Sequence, residues 1–576
     1  MKILLLHPND SVGDGPWEST CWDWIVDLAW AGHCAYAAMA NRFGCRALSI
    51  RSILDHQTHL MRLRELWGAG LGELVDEEGI DWWDSFLPLP HARIEEIMLA
   101  SALAAQIPAG AEVVATREHS LVRALSKLLD RDIKAFAPEK TSLLARYVKA
   151  ASIFHPSQLL EIALDKWDGD YRFRRSISPT PKQSSEAAIL LPSSYVNVSR
   201  AEVAYARMLP HQRFLLLITR RNGGLVDLPA NVELRSLASY APTTFLAATE
   251  REYERLIGSW RGLQPVLGEA SGTLKLASNL GLFAGFPAFL RKGLRIRDAW
   301  RAVLSREPIQ AVLSGDENNA LTRLPTLLAR PRGIHTVVCE HGALNMGFAL
   351  RPAVSAVCLA QGEMGRDYFT EFCGMPRGRI QVGSAAMQPS PRIPNRQQDW
   401  IVFFSEAYEA NSWRTEGFYG EILPKLCSLA RQTGRKVVIK LHPFESLRER
   451  TDIVKKVLPP ELHQLVQLRE GPLTPDFFDR AWFSLTVESS VAVECTLKGV
   501  PCFLCHWFDG SWYEYGTQFA RFSAGYILNS PGEISNIPTL LKACGTTPDL
   551  LYRLATQIRP ADLEAILSGP PPAKPT

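Results

Sequence analysis

The chain has no excess of either charge, no apolar run long enough to cross a bilayer, no repeat period and no low-complexity tract before its proline-rich end, GPPPAKPT. With 63 basic against 60 acidic residues the formal net charge is +3, which removes a global electrostatic case for nucleic acid or an anionic membrane. Any anion site must be local. The apolar stretches fall short of the roughly 20 residues a membrane helix needs. The opening MKILLLHPND carries a lone lysine and a short apolar run in place of a signal-peptide core. The protein is therefore expected to be cytoplasmic, with at most peripheral association at the inner face of the cell membrane. No metal site is expected either. Asp81-Trp82-Trp83-Asp84 looks loosely like a metal-holding carboxylate pair, but its tryptophans mark a packed element.

What is present is a core-building composition, 46% hydrophobic over 576 residues, more than one core organises, so two or three domains are expected. Eleven cysteines without an export signal read as reduced thiols, mostly small core residues. Cys502-Phe503-Leu504-Cys505-His506 matches the attachment pattern of c-type haem. Gly499-Val500-Pro501 ahead of it marks a buried strand entered from a helix, and a redox pair belongs at a helix N-terminus, so a core strand is expected.

Short apolar runs alternate with amphipathic segments of helix length, the pattern of parallel α/β layers. Three blocks are expected: an accessory or acceptor α/β domain over 1–180, a Rossmann-like domain over 186–355, and a nucleotide-binding Rossmann-like domain over 356–576. The first carries strands at Lys2 to Leu6, Arg46 to Ile50 and Glu112 to Ala115. It also carries helices near Trp22 to Ala40 and Ser52 to Trp67, a charge-rich helical stretch from Glu139 to Arg175, and a linker from Ser176 to Ser185. The second has strands at Ala187 to Leu191, Arg213 to Ile218, Ile309 to Ser314 and Ile334 to Cys339. Those of the third are Trp400 to Phe404, Lys436 to Lys440, Gln464 to Leu468, Trp482 to Val487 and Pro501 to Cys505. Consecutive doubly wound blocks leave a cleft, and their ligands bind beyond the carboxyl ends of strands.

Several polar residues stand at such ends. In KLHPFE, Pro443 stops the strand and holds His442 at its tip, while Lys440 shares its side. After the next strand but one, Ser489 or Ser490 caps a helix whose N-terminus favours an anion, and Glu494, one turn on, can accept two ribose hydroxyls. In the first block, Asp10, Asp23 and Trp17 are candidates for reading an acceptor glycan, since indole faces stack on sugars and carboxylates bond hydroxyls; an aromatic core is the plainer reading. Tyr513 and Tyr515 can line the donor site, whereas Trp507 and Trp512 are expected to pack.

KLHPFE followed by TVESSVAVECTLKGVP resembles the paired His-Pro and Ser/Thr motifs of bacterial GT-B glycosyltransferases that use CMP-sugars, such as capsule polysialyltransferases, and is similar to the CDP-glycerol polymerases. The resemblance covers about 186 to 545 and leaves the first block outside it. It implies two Rossmann-like domains facing a cleft, a surface-polysaccharide product, a nucleotide-sugar donor, a glycan or lipid-linked glycan acceptor, and no further cofactor. A base is expected on the N-terminal side of the cleft: His341 first, which the resemblance implies by analogy with a His-Gly in the CDP-glycerol polymerases, then Asp316, after the strand at 309–314, and Glu340. Gln361-Gly362 and Gly383-Ser384 should end strands facing the cleft. A CMP-linked nonulosonic acid or Kdo is the favoured donor. CDP-glycerol or UDP-sugar transfer, a UDP-sugar 2-epimerase-like enzyme and a non-catalytic glycan-binding module are the alternatives.

Overall fold

The computed structural model describes residues 1–8, 10, 15–29, 44–68, 72–137, 185–220, 225, 227–242, 246–267, 271–342, 344–345, 347–385, 397–408, 414–443, 445–508, 513–542, 544 and 548–569. The charge-rich stretch from Glu139 to Arg175, almost all of the linker after it, and Trp512 lie outside these residues. Two compact units are formed, one from Met1–Arg62, Ala92–His155 and Ser390–Leu551, the other from Leu63–His91, Pro156–Pro389 and Tyr552–Thr576. The expected α/β class is observed: every strand belongs to one of three parallel sheets.

The first unit holds two of them. One runs β3-β2-β1-β4-β5, with β1 Lys2–Leu6, β2 Trp24–Asp27, β3 Arg46–Ser49, β4 Glu112–Arg117 and β5 Lys134–Ala137. Here Trp24-Ile25-Val26-Asp27 is a strand where helical spacing predicted a helix. It is laid between β1 and β3, where Ile25 and Val26 are buried, and this non-local pairing outweighs local propensity. The second unit carries β6 Ala188–Ser193, β7 Arg213–Ile218, β8 Val232–Ser236, β9 Ile309–Ser314, β10 His335–Cys339, β11 Val357–Ala360 and β12 Ile380–Val382, ordered β12-β11-β10-β9-β6-β7-β8. The remaining sheet of the first unit is β13 Trp400–Phe404, β14 Lys436–Lys440, β15 Val466–Arg469, β16 Ala481–Thr486, β17 Cys502–Cys505 and β18 Tyr526–Leu528, ordered β15-β14-β13-β16-β17-β18.

Two expectations shift. The boundary placed at 356 fails, because β11 and β12 pair onto β10 and so belong to the seven-stranded sheet. Nor do Gln361-Gly362 and Gly383-Ser384 end in an open groove. The chain after Tyr552 lies across them, with the Thr556 amide donating to the Gln361 carbonyl at 2.9 Å and the Ser384 amide to the Thr556 carbonyl at 2.7 Å. A Cβ on Gly362 would sit 2.4 Å from the Leu554 carbonyl oxygen, so glycine is required by that close approach. Cys502–Cys505 is the buried core strand that was expected, and Trp82 and Trp83 are buried behind the helix cap of Asp81.

In all three sheets the first strand lies inside, the next two extend to one side and the later ones to the other. Winding therefore reverses beside β1, β6 and β13, and a crevice opens at the carboxyl ends of the pairs β1/β4, β6/β9 and β13/β16. The sequence elements singled out by composition stand at these three places.

Candidate functional site

In the β13 sheet, Phe404 is level with Lys440 of β14, and Phe403 with Leu485 of β16. Parallel strands are spaced about 4.8 Å apart, so the ends of β14 and β16, flanking β13, are separated by roughly 10 Å, less than the length of a nucleotide. The His-Pro turn and the twin serines thus open on one switch point.

Each side of it is fixed by an acid, the buried side chain of Glu445 and the half-buried Glu406, that the sequence motifs did not single out. Glu445 accepts from the His442 amide at 2.6 Å, Ser405 Oγ at 2.7 Å and Arg450 Nε at 2.6 Å; both side chains of the ion pair are almost wholly buried. Burial raises the Glu445 carboxyl and Arg450 opposes the rise. Across β13, Glu406 accepts from Thr486 Oγ1 at 2.9 Å and from the amides of Val487 and Glu488 at 3.0 and 3.1 Å. These carboxylates are consumed by donors, which leaves Lys440 and His442 as the basic groups of the edge. His442 is half-buried, and burial, then Lys440, lowers its pKa, which favours the neutral imidazole. Burial likewise lowers Lys440, whose Nζ donates to the Leu441 carbonyl at 2.6 Å. Pro443 is exposed at the tip of the turn.

The serines depart from expectation in one respect. The first amides of helix Val491–Leu497 are already taken: Val491 donates to Ser489 Oγ at 3.4 Å, Ala492 to the Ser489 carbonyl at 3.1 Å and Val493 to the Ser490 carbonyl at 3.0 Å. The helix end is not a nest of free N–H groups. Neither Ser490 Oγ nor the Glu494 carboxylate makes a hydrogen bond among the described residues, and burial raises the Glu494 carboxyl against the pull of Lys498. Tyr513 and Tyr515 lie close, ring centroids 6.2 Å apart. Burial, followed by Glu95, Tyr515 and Glu488, pushes the Tyr513 hydroxyl well up, so it stays a donor. Trp507 packs in the core as expected.

No family model and no curated protein matches the sequence. Among solved structures, the chain is similar to the UDP-GlcNAc 2-epimerase of Neisseria meningitidis bound to UDP-GlcNAc, at 14% identity and a TM-score of 0.36 over 65% of this chain and 95% of that one. It is similar to the UDP-GlcNAc 2-epimerase of Methanocaldococcus jannaschii at 12% identity and a TM-score of 0.39, over 65% and 95% of the two chains. It is also similar to a glycosyltransferase from Rickettsia africae ESF-5, at 11% identity and a TM-score of 0.35, over 67% and 94%.

The three candidate bases are sorted by the second unit. His341, one residue beyond Glu340 at the end of β10, is exposed, and its Nδ1 lies 2.6 Å from the Gly315 carbonyl oxygen, so Nδ1–H donates there and Nε2 keeps its lone pair. Gly315 is itself held: its amide donates to Glu202 Oε1 at 2.8 Å, and a Cβ would meet Val198 at 2.9 Å. Asp316 is not free to act, since one oxygen accepts the amides of Asn318 and Asn319 at 2.8 and 3.3 Å and builds the turn. Glu340 is ruled out by burial; it is 4% exposed and accepts the Gln361 amide at 2.7 Å.

Burial holds the Glu340 carboxyl well above its ordinary value of 4.5, which favours its protonated form in the folded chain. The unfolded chain ionises it near that ordinary value. Its stabilising contribution is complete below it and falls as pH rises toward the folded value. Glu340→Gln, which cannot ionise, is expected to leave thermal stability near pH 4 unchanged and to raise it at pH 8 by about 2–4 °C per kcal/mol recovered, measurable by differential scanning calorimetry at the two pH values.

The acceptor trio dissolves. Asp10 is buried at the carboxyl edge of its sheet, where Arg117 Nε donates to it at 2.6 Å. Asp23 sits at the opposite, amino edge and accepts the Lys2 amide at 2.7 Å. Trp17 packs with Leu4, Leu6, Trp22 and Ile25, so its faces are in the core and closed to a sugar. Among the described residues no group of three His, Cys, Asp or Glu is arranged to hold a metal, and no helix is long and apolar enough to cross a membrane.

Proposed function

We propose that the chain is a metal-independent GT-B glycosyltransferase that moves a sugar from a nucleotide-sugar, favoured as a CMP-linked nonulosonic acid or Kdo, onto a bacterial surface glycan. The observation that supports this reading is that β14, which ends at the His442–Glu445 turn, and β16, which ends just before Ser489 and Ser490, flank β13 on either side at one end of its sheet. The donor class follows from the resemblance of the two stretches that supply those residues.

The chemistry asks for three things. The acceptor oxygen gives up its proton as it bonds to the anomeric carbon; the bond from that carbon to the phosphate oxygen breaks, and the electron pair leaves with the nucleotide. His341 Nε2 takes the proton. His442, which takes up a proton from solvent as the anionic phosphate settles beside it, donates to the leaving oxygen, and Ser490 adds a hydroxyl. Glu494 accepts from the ribose.

A thermal-shift screen with CMP, CDP, UDP and GDP tests the reading, because a ligand at 100 times its Kd stabilises the native state by about 2.7 kcal/mol. Stabilisation by CMP alone supports the CMP-sugar donor. Stabilisation by CDP or UDP moves the assignment to CDP-glycerol or to UDP-sugar transfer or epimerisation. If none of the four shifts the transition, the enzyme assignment is lost and a glycan-binding module takes its place.

A further inference from the structure

The first sheet has the strand order of a nucleotide-binding unit, yet a residue of the same chain covers the carboxyl ends of its β1 and β2, beside the switch point. Arg414, 7% exposed, reaches the carboxyl ends of β1 and β2. Its Nε and Nη2 donate to the two oxygens of Asp27 at 3.0 and 2.6 Å, its Nη2 to the His7 carbonyl at 3.3 Å, and its Nη1 to the carbonyls of Pro8, at 3.5 Å, and Asp10. Asp27 is 1% exposed and also accepts the Ala29 amide at 2.9 Å. A bidentate, buried guanidinium with three carbonyl acceptors has no freedom to serve a ligand there.

Arg414 is also the residue from which helix Thr415–Thr433 springs, the Phe418 amide donating to its carbonyl at 3.0 Å. That helix carries the buried Tyr419, whose hydroxyl is 2.8 Å from Ser405 Oγ. Ser405 donates to Glu445, and Glu445 holds the His442 amide. Arg450, paired with Glu445, has its guanidinium 5.7 Å from the Tyr419 ring. An unbroken run of buried contacts therefore leads from Asp27 to the His-Pro turn.

We propose that Asp27 and Arg414 are positioning residues for the donor site, and that the first sheet exists in this chain to hold, through them, the helix that sets the His442 turn. The inference rests on the donor site proposed above and goes beyond it, because it gives the first block, which lies outside the resemblance, a task in nucleotide binding. Buried polar contacts transmit such constraints because each has one geometry that satisfies every donor.

The test uses the full chain and two readouts. In Arg414→Gln the Kd for the nucleotide that stabilises the wild type, measured by titration calorimetry, is expected to rise at least tenfold. Hydrogen exchange at the His442 amide, measured without nucleotide, is expected to speed up at least tenfold while the β14 amides keep their protection. Combined with His442→Ala, Arg414→Gln should weaken binding no further, since both act on one turn. Should Arg414→Gln fold poorly because Asp27 is left charged and buried, Arg414→Gln with Asp27→Asn removes both charges and is read the same way. Leu125→Ala, a core change in the first sheet's own layer, should lower stability and leave both readouts unmoved. A folded variant with unchanged His442 exchange and a Kd within twofold of wild type overturns the inference. If the wild type binds none of the four nucleotides, the donor-site reading fails by itself, and the exchange measurement still decides whether Arg414 sets the turn.

Discussion

His442→Ala is expected to cut the nucleotide-dependent thermal shift to about half or less while leaving the unliganded protein folded. The imidazole is anchored by backbone, since it is the His442 amide that meets Glu445. Truncation at Cβ leaves the bond from the His442 amide to Glu445 in place. A hydrogen bond to a charged group is worth about 1.5–3 kcal/mol, so the Kd should rise by about ten- to a hundredfold. At a ligand concentration that was 100 times the wild-type Kd, the stabilisation would fall from about 2.7 toward about 0.4 kcal/mol. Proton linkage gives a second signature. Burial and Lys440 hold the imidazole below its ordinary 6.5, so His442 is neutral at neutral pH. A phosphate beside it favours the cation, so binding takes up a proton and strengthens as pH falls from 8 toward 6. Without ligand the sign is the reverse: because the folded pKa is depressed, the group's contribution to stability is present above about 6.5 and is lost as pH falls through the folded value. Calorimetric titration in buffers of different ionisation heat measures the uptake, and His442→Ala should show none. A full thermal shift in the variant would remove the turn from the donor site.

The sheets were legible because their strands are short apolar runs with sharp ends. Trp400–Phe404, Lys436–Lys440, Ile309–Ser314 and Arg213–Ile218 fall where the sequence predicts them, since burial on both faces of a parallel sheet makes the interior of each run apolar, Gln310 excepted. The strand Trp24–Asp27 was not legible, because tryptophan and aspartate at its ends obscure a four-residue run that only its neighbours stabilise. The His-Pro turn and the twin serines announced themselves by position after strands. Glu445 carried a local signal that went unused: an acid three residues after a histidine, at a strand end, is well placed to close a turn on its own backbone. Glu406 had a comparable signal after Phe404. Arg414 had none, because its partner Asp27 lies 387 residues away and becomes its neighbour only when two sheets form one unit. The misassigned acids share one cause. Asp316 and Glu340 stand after strands, as catalytic groups do, but so do the residues that terminate strands and start helices, and only hydrogen-bond partners separate the two classes.

His341→Asn is expected to lower kcat by roughly 10²–10⁴-fold, the range for removing a general base, and to leave the Kd of the nucleotide unchanged. Asparagine is the informative replacement, because its side-chain amide can still donate to the Gly315 carbonyl in place of Nδ1–H and so keeps the loop closed while removing the lone pair of Nε2. The carbonyl contact is also what suits histidine to the task. It fixes the tautomer with the basic nitrogen outward, and as Nε2 gains a proton the Nδ1–H bond to an already aligned acceptor strengthens, which stabilises the developing imidazolium. Gly315 must be glycine for this geometry, since a Cβ there would press on Val198 and move the carbonyl. Asp316→Asn serves as the contrast: it weakens a turn built on two backbone amides, so it should lower thermal stability by about 1 kcal/mol or more while kcat stays within a few-fold. Release of the nucleotide from the donor sugar identified by the screen measures turnover for both. If His341→Asn turns over within threefold of wild type, the imidazole is a strut for the Gly315 loop, and since burial has already eliminated Glu340 and the turn has claimed Asp316, the base would then have to come from the acceptor or its water.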